Sequence, residues 1–146
     1  MLKKSFRVFH GGKLMPWATG TLVEGARGIV WLSGAEGRHP DTDEVVEGAY
    51  AQAIIALEKI KSRLEEFGTS LDNIVEMNYY IRGDFPDGVR GTPLGEEVVR
   101  GVNDFFKEHY PAFCWDKNPP TGTLLGVSGL AKKGMLVEIA VTAVVP

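Results

Sequence analysis

Apolar positions along the chain fall into two rhythms. From Val46 to Phe67 they recur every three or four residues, at Val46, Tyr50, Ala53, Leu57, Ile60, Leu64 and Phe67, which predicts a long amphipathic helix. Asp41 and Glu44 precede it with the spacing of a capping box, and Gly68 offers a C-terminal stop. From Ile74 to Arg82 the period drops to two. Val75, Met77, Tyr79 and Ile81 fall on one side and Glu76, Asn78, Tyr80 and Arg82 on the other, a strand with one apolar and one polar face. The longer period then returns. Thr92 as N-cap and Pro93 at the first helical position open a second helix, whose buried stripe is Leu94, Val98, Val102 and Phe105 and which ends near His109.

Short β-rich runs surround these elements. Phe6–His10 is closed by Gly11-Gly12, and Trp17–Val23 and Ile29–Ser33 flank a Gly25-Ala26-Arg27-Gly28 turn, which together read as a hairpin. Two more runs, Thr121–Leu130 and Met135–Val145, are separated by a Lys132-Lys133-Gly134 turn. The element order is therefore βββαβαββ. The expected architecture is α+β, one mixed sheet with both helices on a single face, in one domain over residues 1–146. The polar side of Ile74–Arg82 and the apolar Met135–Val145 run call for further cover on the open face, partly from another subunit.

Composition narrows the function classes. With 146 residues, 44% apolar and 24% charged, the chain has the make-up of a globular domain. A net charge of −3 gives no basic surplus for tracking phosphates, so nucleic acid is not the expected partner. The single cysteine cannot form an internal disulfide, which suits a reducing compartment. No apolar run follows the N-terminal lysines, and none reaches the ~20 residues of a membrane span, so the expectation is a soluble cytoplasmic protein. His10, His39 and His109 lack metal-ligand spacing, and neither a metal nor a cofactor is expected.

Several residues are candidates for chemistry. Glu138 is one acid inside the most apolar run, where a carboxylate must be paired, hydrogen-bonded or protonated. It suits acid–base work or the positioning of water, or else a structural role at a subunit seam. Trp17 and Trp115 could stack on a flat ligand or fill an interface. Cys114, between Phe113 and Trp115, reads more readily as a packed thiol than as a nucleophile, because no activating base is visible. Arg82, Arg90 and Lys117 are possible anion anchors or merely solvated charges, and Asp116 could pair with one of them.

Larger blocks of sequence resemble the RidA/YjgF family from about Pro16 to Val144. V-E-I-A-V-T-A at Val137–Ala143 follows Pro120-x-x-T-L-L-G-V-x-x-L, in the manner of the family's C-terminal signature. Trp31-Leu32-Ser33-Gly34 is similar to its F-T-S-G. Leu71-Asp72-Asn73-Ile74-Val75-Glu76 resembles its L-x-D-I-V-K, and Asp104-Phe105-Phe106 resembles its Y-x-x-F-F. The resemblance implies a chorismate-mutase-like fold and homotrimers with ligand clefts between subunits. It also implies hydrolysis of reactive enamines or imines to a keto compound and ammonia. By position it implies Glu138 as the water-handling glutamate, Trp17 as the aromatic lining the cleft, and Gly34, Gly122 and Leu124 as further lining.

The chain departs from that pattern where a substrate carboxylate would be gripped. The family's P-A-R falls on Pro120-Thr121-Gly122, so Gly122 stands where a two-pronged guanidinium is expected. Leu124 replaces a frequent cysteine, and Met15-Pro16-Trp17-Ala18-Thr19 replaces G-P-Y-S-Q. The expectation is a divergent deaminase for a larger, aromatic or aminomuconate-like substrate, with Phe113–Lys117, including Trp115, Cys114 and Asp116, supplying a new lid. A non-catalytic trimer that binds a small metabolite is the alternative. An endoribonuclease is a third reading, which the acidic balance disfavours.

Overall fold

The computed structural model describes residues 1–110 and 118–146. Its strands are β1 (Leu2–His10), β2 (Lys13–Glu24), β3 (Gly28–Trp31), β4 (Ala35–Glu36), β5 (Ile74–Arg82), β6 (Leu124–Val127) and β7 (Val137–Val145). Two helices, α1 (Ala49–Glu66) and α2 (Pro93–His109), interrupt them. A mixed sheet runs in the order β3-β7-β5-β6, with the short β4 also paired to β7. β7 is antiparallel to β3, β4 and β5, whereas β6 runs parallel to β5.

The strand pairing differs from the sequence expectation in two places. β2 pairs with β1 across Gly11-Gly12, and these two strands form a sheet of their own. Both glycines have positive φ, the backbone that a two-residue hairpin turn requires. β3 instead turns away after Gly28 and pairs with the end of β7, from Gly28↔Val145 to Trp31↔Thr142. The last two strands are likewise not a hairpin, since they lie on opposite sides of β5. The N-terminal hairpin is tied to the body by backbone donation from Ser5 to Asn118 Oδ1 (2.8 Å) and from Ala18 to the Pro120 carbonyl (3.1 Å).

α1 starts later than its apolar rhythm suggests. Gly48 has φ +91°, which no helix accommodates, and Val45 is bridged to Arg38. Asp41–Glu44 is therefore loop rather than a capping box, and α1 has no side-chain cap. The helix ends at Glu66, with Gly68 in the left-handed region two residues on. α2 begins as its sequence indicates, with Thr92 Oγ1 accepting from the Gly95 amide (3.2 Å) and Pro93 next to it.

Both helices cover one face of the sheet. Leu57, Ile60 and Leu64 of α1 and Val98, Val102 and Phe105 of α2 join Met77, Ile81, Val137, Ile139 and Val141 in a single core. Gly101 lets the helices approach, since a Cβ there would lie 3.1 Å from that of Ala53. On the opposite face large apolar side chains stay exposed among the described residues, with Trp31 72% exposed, Ile29 55% and Leu125 45%. No helix of the described residues is long and apolar enough to cross a membrane.

The core contains one polar side chain that hydrophobic periodicity conceals. Gln52 is 1% exposed, yet its Nε2 donates to the carbonyls of Val46 and Gly134 (2.9 Å each). Its Oε1 accepts from the Leu136 amide at 2.7 Å. One amide side chain thus fastens the start of α1 to the strand entry of β7. Gln52→Leu keeps the approximate volume but leaves buried backbone groups unpaired, and is expected to lower unfolding free energy by about 3 kcal/mol. Chemical denaturation of the two proteins checks this, and an unchanged midpoint would contradict the bridging role.

Candidate functional site

Glu138 occupies the second position of β7. Its neighbours Val137 and Ile139 are wholly buried against the helices, so the period-two backbone turns Glu138 to the open face. Cross-strand register sets it beside Tyr80 of β5 and Glu36 of β4. Gly34 closes over the carboxyl group, where a Cβ would stand 2.6 Å from its Cδ and Oε2. Gly34 and Glu138, remote in sequence, thereby form one half-buried acid niche.

The niche raises the acid's affinity for a proton. Burial pushes the Glu138 carboxyl above the ordinary carboxylate range, and the facing charge of Glu36 pushes it further. Glu36, 8% exposed, is held by Arg38 Nη2 at 3.2 Å and Lys59 Nζ at 3.4 Å. Arg38 also reaches Asp43 (3.1 Å), and Lys132 meets the same carboxylate at 3.1 Å. The Lys132 hydrogen bond, then the Arg38 charge, draw the exposed Asp43 acid below its usual range. Glu36 was not apparent from sequence because a nonlocal strand register brings it to Glu138.

A second group forms a cavity of about 440 Å³ between α2, the β5–β6 side of the sheet and the N-terminal hairpin. Trp17, Gly122 and Leu124 all line it, together with Met77, Val102 and Arg90. The Arg90 guanidinium sits 4.6 Å from the Trp17 ring centroid, a cation–π arrangement. Position 122 has no room for a side chain, because a Cβ would collide with the Met77 carbonyl oxygen. Tyr79 closes the floor, its hydroxyl donating to Met77 Sδ (2.6 Å), and burial pushes the phenol well above its ordinary range.

The acid niche and the cavity use opposite faces of β5. Tyr80 accompanies Glu138, while Met77, Tyr79 and Ile81 turn into the cavity. Arg82 belongs to neither group and borders a separate hollow with Gly83, Asp84 and Ser128. Cys114, Trp115, Asp116 and Lys117, together with the lid expected there, lie outside the described residues. Among the described residues, no three His, Cys, Asp or Glu side chains gather to hold a metal.

A mixed sheet backed by two helices is the α+β architecture of the RidA/YjgF proteins. The family described as endoribonuclease L-PSP matches residues 14–145, and the chain belongs to this family, that of RidA and YjgF. A Rid-family protein of unknown function from Yersinia pestis, YyfB, superposes with a TM-score of 0.67 at 19% identity, over 89% of this chain and 87% of that one. TdcF of E. coli, solved with bound serine, gives 0.63 at 26% identity, over 89% and 88%. A RutC family protein of Aquifex aeolicus (strain VF5) is 37% identical over 54 residues, which are 37% of this chain and 43% of that protein. That match spans less than half the relative's length.

The raised Glu138 acid has a pH signature. A carboxyl raised by the fold leaves stability highest while it is protonated. Stability then falls as pH climbs from the unfolded-state value through the folded one, and levels beyond. Glu138→Gln should match wild type at acid pH and exceed it above that window. A ¹³C titration of the Glu138 carboxyl should shift downward in Glu36→Gln, though not fully to the ordinary value, because burial is the larger cause. A Glu138 midpoint at or below that of a free glutamate would contradict the niche.

Proposed function

We propose that the protein is a hydrolase that deaminates an enamine or imine by adding water across a C=N bond. The observation that carries this reading is the Glu138 niche, a half-buried acid biased toward its protonated form and roofed by Gly34. Membership of the family supports it. An enamine first tautomerises to the imine. The protonated carboxyl then donates to the imine nitrogen and makes the carbon electrophilic. The resulting carboxylate takes a proton from the attacking water, giving a carbinolamine. Transfer of the remaining hydroxyl proton to nitrogen expels ammonia and leaves the carbonyl.

The acid and the cavity face different sides of one protomer, so a site that uses both draws them from two protomers. The exposed Trp31, Ile29 and Leu125 on the uncovered face favour the same conclusion, since a homotrimer would bury them. A non-catalytic trimer that binds a small metabolite is the second reading, favoured by the absence of a side chain at position 122. An endoribonuclease reading has less support, because the net charge is −3 and the cavity presents mainly apolar side chains.

Ammonia release from a panel of imines and enamines, from small 2-imino acids through aromatic and branched monocarboxylates to aminomuconate-like compounds, separates these readings. Wild type should turn over at least one larger member of the panel. Glu138→Gln should lose on the order of 10²–10⁴-fold in kcat, the usual worth of a positioned acid–base group. No turnover by a folded wild-type oligomer, or undiminished turnover by Glu138→Gln, would overturn the hydrolase reading.

A further inference from the structure

We propose that Arg90, stacked on Trp17, is the carboxylate anchor of the 440 Å³ cavity, and that the cavity takes an apolar-bodied monocarboxylate rather than a dicarboxylate. This deepens the hydrolase reading and rests on it for the identity of the cavity as the substrate pocket. The anchor and the ligand class come from the cavity itself.

An arginine on a tryptophan face is a partly preformed anion site. Stacking holds the guanidinium plane and restricts its rotamers, while the N–H edges stay free to donate in a two-pronged manner. Among the described residues Arg90 makes no ion pair, so its positive charge has no acidic partner there. It stands on the loop before α2 and lines the cavity together with Gly122 and Leu124. A guanidinium cannot be supplied from position 122, because the Met77 carbonyl occupies the space of a Cβ. The cation must therefore come from elsewhere in the lining, and among the described lining residues Arg90 is the one that supplies it.

The rest of the lining selects the body attached to that carboxylate. Met77, Ile81, Val98, Val102 and Leu124 offer apolar contact and no charge. The volume falls within the ~300–1,000 Å³ of small-molecule pockets and has room for an aromatic ring or a branched chain. Glu96, on the first turn of α2, lines the same cavity and supplies a negative charge. One ligand carboxylate is matched by Arg90, whereas a second would meet the like charge of Glu96, apolar side chains, or the uncharged Asn103, Thr121 and Thr123, none of which neutralises it. The substrate class is thus an imine or enamine of an aromatic or branched monocarboxylic acid, which excludes the dianionic aminomuconate type.

Titration calorimetry with phenylacetate, benzyl alcohol and muconate as probes tests this on the intact protein. Wild type should bind phenylacetate more tightly than muconate. Arg90→Met should weaken phenylacetate roughly tenfold, the usual size of a lost charge-assisted hydrogen bond, without changing benzyl alcohol binding. Arg90→Lys, which keeps the charge but not the fork, should fall between and serves as the reading if Arg90→Met does not fold. No phenylacetate binding by wild type, equal binding by wild type and the Arg90 variants, or tighter binding of muconate would overturn the proposal. Arg90-dependent phenylacetate binding alongside no ammonia release would retire the hydrolase and leave the anchor standing. Glu138-dependent turnover that is indifferent to Arg90 would do the reverse.

Discussion

The alternation of β7 governs this molecule. It pairs with three strands, and every second side chain from Val137 to Ala143 is buried beneath the helices. Those residues form the middle of the core, so the register of the strand cannot slip by one without exposing all of them. Glu138 consequently has no choice of face. Its position is fixed by the hydrophobic residues on either side, and its environment is supplied by whatever the neighbouring strands place opposite. Here these are Glu36 and the bare backbone of Gly34. A structural constraint of the core thus delivers a carboxyl group to a niche that raises its affinity for a proton.

The same alternation divides the chemistry. Beyond a register shift between Ile74 and Glu76, β5 pairs regularly with β7, so Met77, Tyr79 and Ile81 line the cavity beside α2 while Tyr80 accompanies the acid. Within a protomer Glu138 therefore lies on one side of β5 and the cavity on the other. Joining them across a subunit boundary accounts for both halves and for the apolar side chains left on the open face. In this reading substrate selection and proton transfer belong to different subunits. The cavity walls could then change, as at Gly122 and Leu124, while the acid niche keeps its geometry.

Much of this was legible in the sequence where the physics is local. The second helix announces itself through Thr92 and Pro93, and the alternation of β5 can be counted from Met77 to Ile81, but a register shift between Ile74 and Glu76 puts Ile74 rather than the expected Val75 in the core. The long helix was readable along its length but not at its start, because the positive φ of Gly48 overrides the apolar rhythm that reaches back to Val46. Strand partners were less accessible. Nothing local tells β3 to pair with β7 rather than β2, and it was this nonlocal pairing, with that of β4, that hid Glu36. Gln52 was masked for the opposite reason, since its polar side chain sits where the helical period demands an apolar one, and only backbone groups distant in sequence satisfy it. At the site, Glu138, Gly34, Trp17 and Gly122 were candidates by position, but sequence could not say that they fall into two groups or that Arg90 stacks on Trp17.

The account stands or falls on whether the acid of one subunit serves the pocket of another. Subunit mixing measures this most directly. Glu138→Gln and Arg90→Met proteins, each depressed in turnover, are dissociated together, reassembled and assayed for ammonia release. If every site pairs one subunit's Glu138 with its neighbour's Arg90, random reassembly in equal amounts restores about a quarter of the sites to two intact contributions. Activity of the mixture should then rise well above that of either variant alone. Mixed oligomers that form but show no gain would place acid and anchor within a single protomer and contradict the shared site.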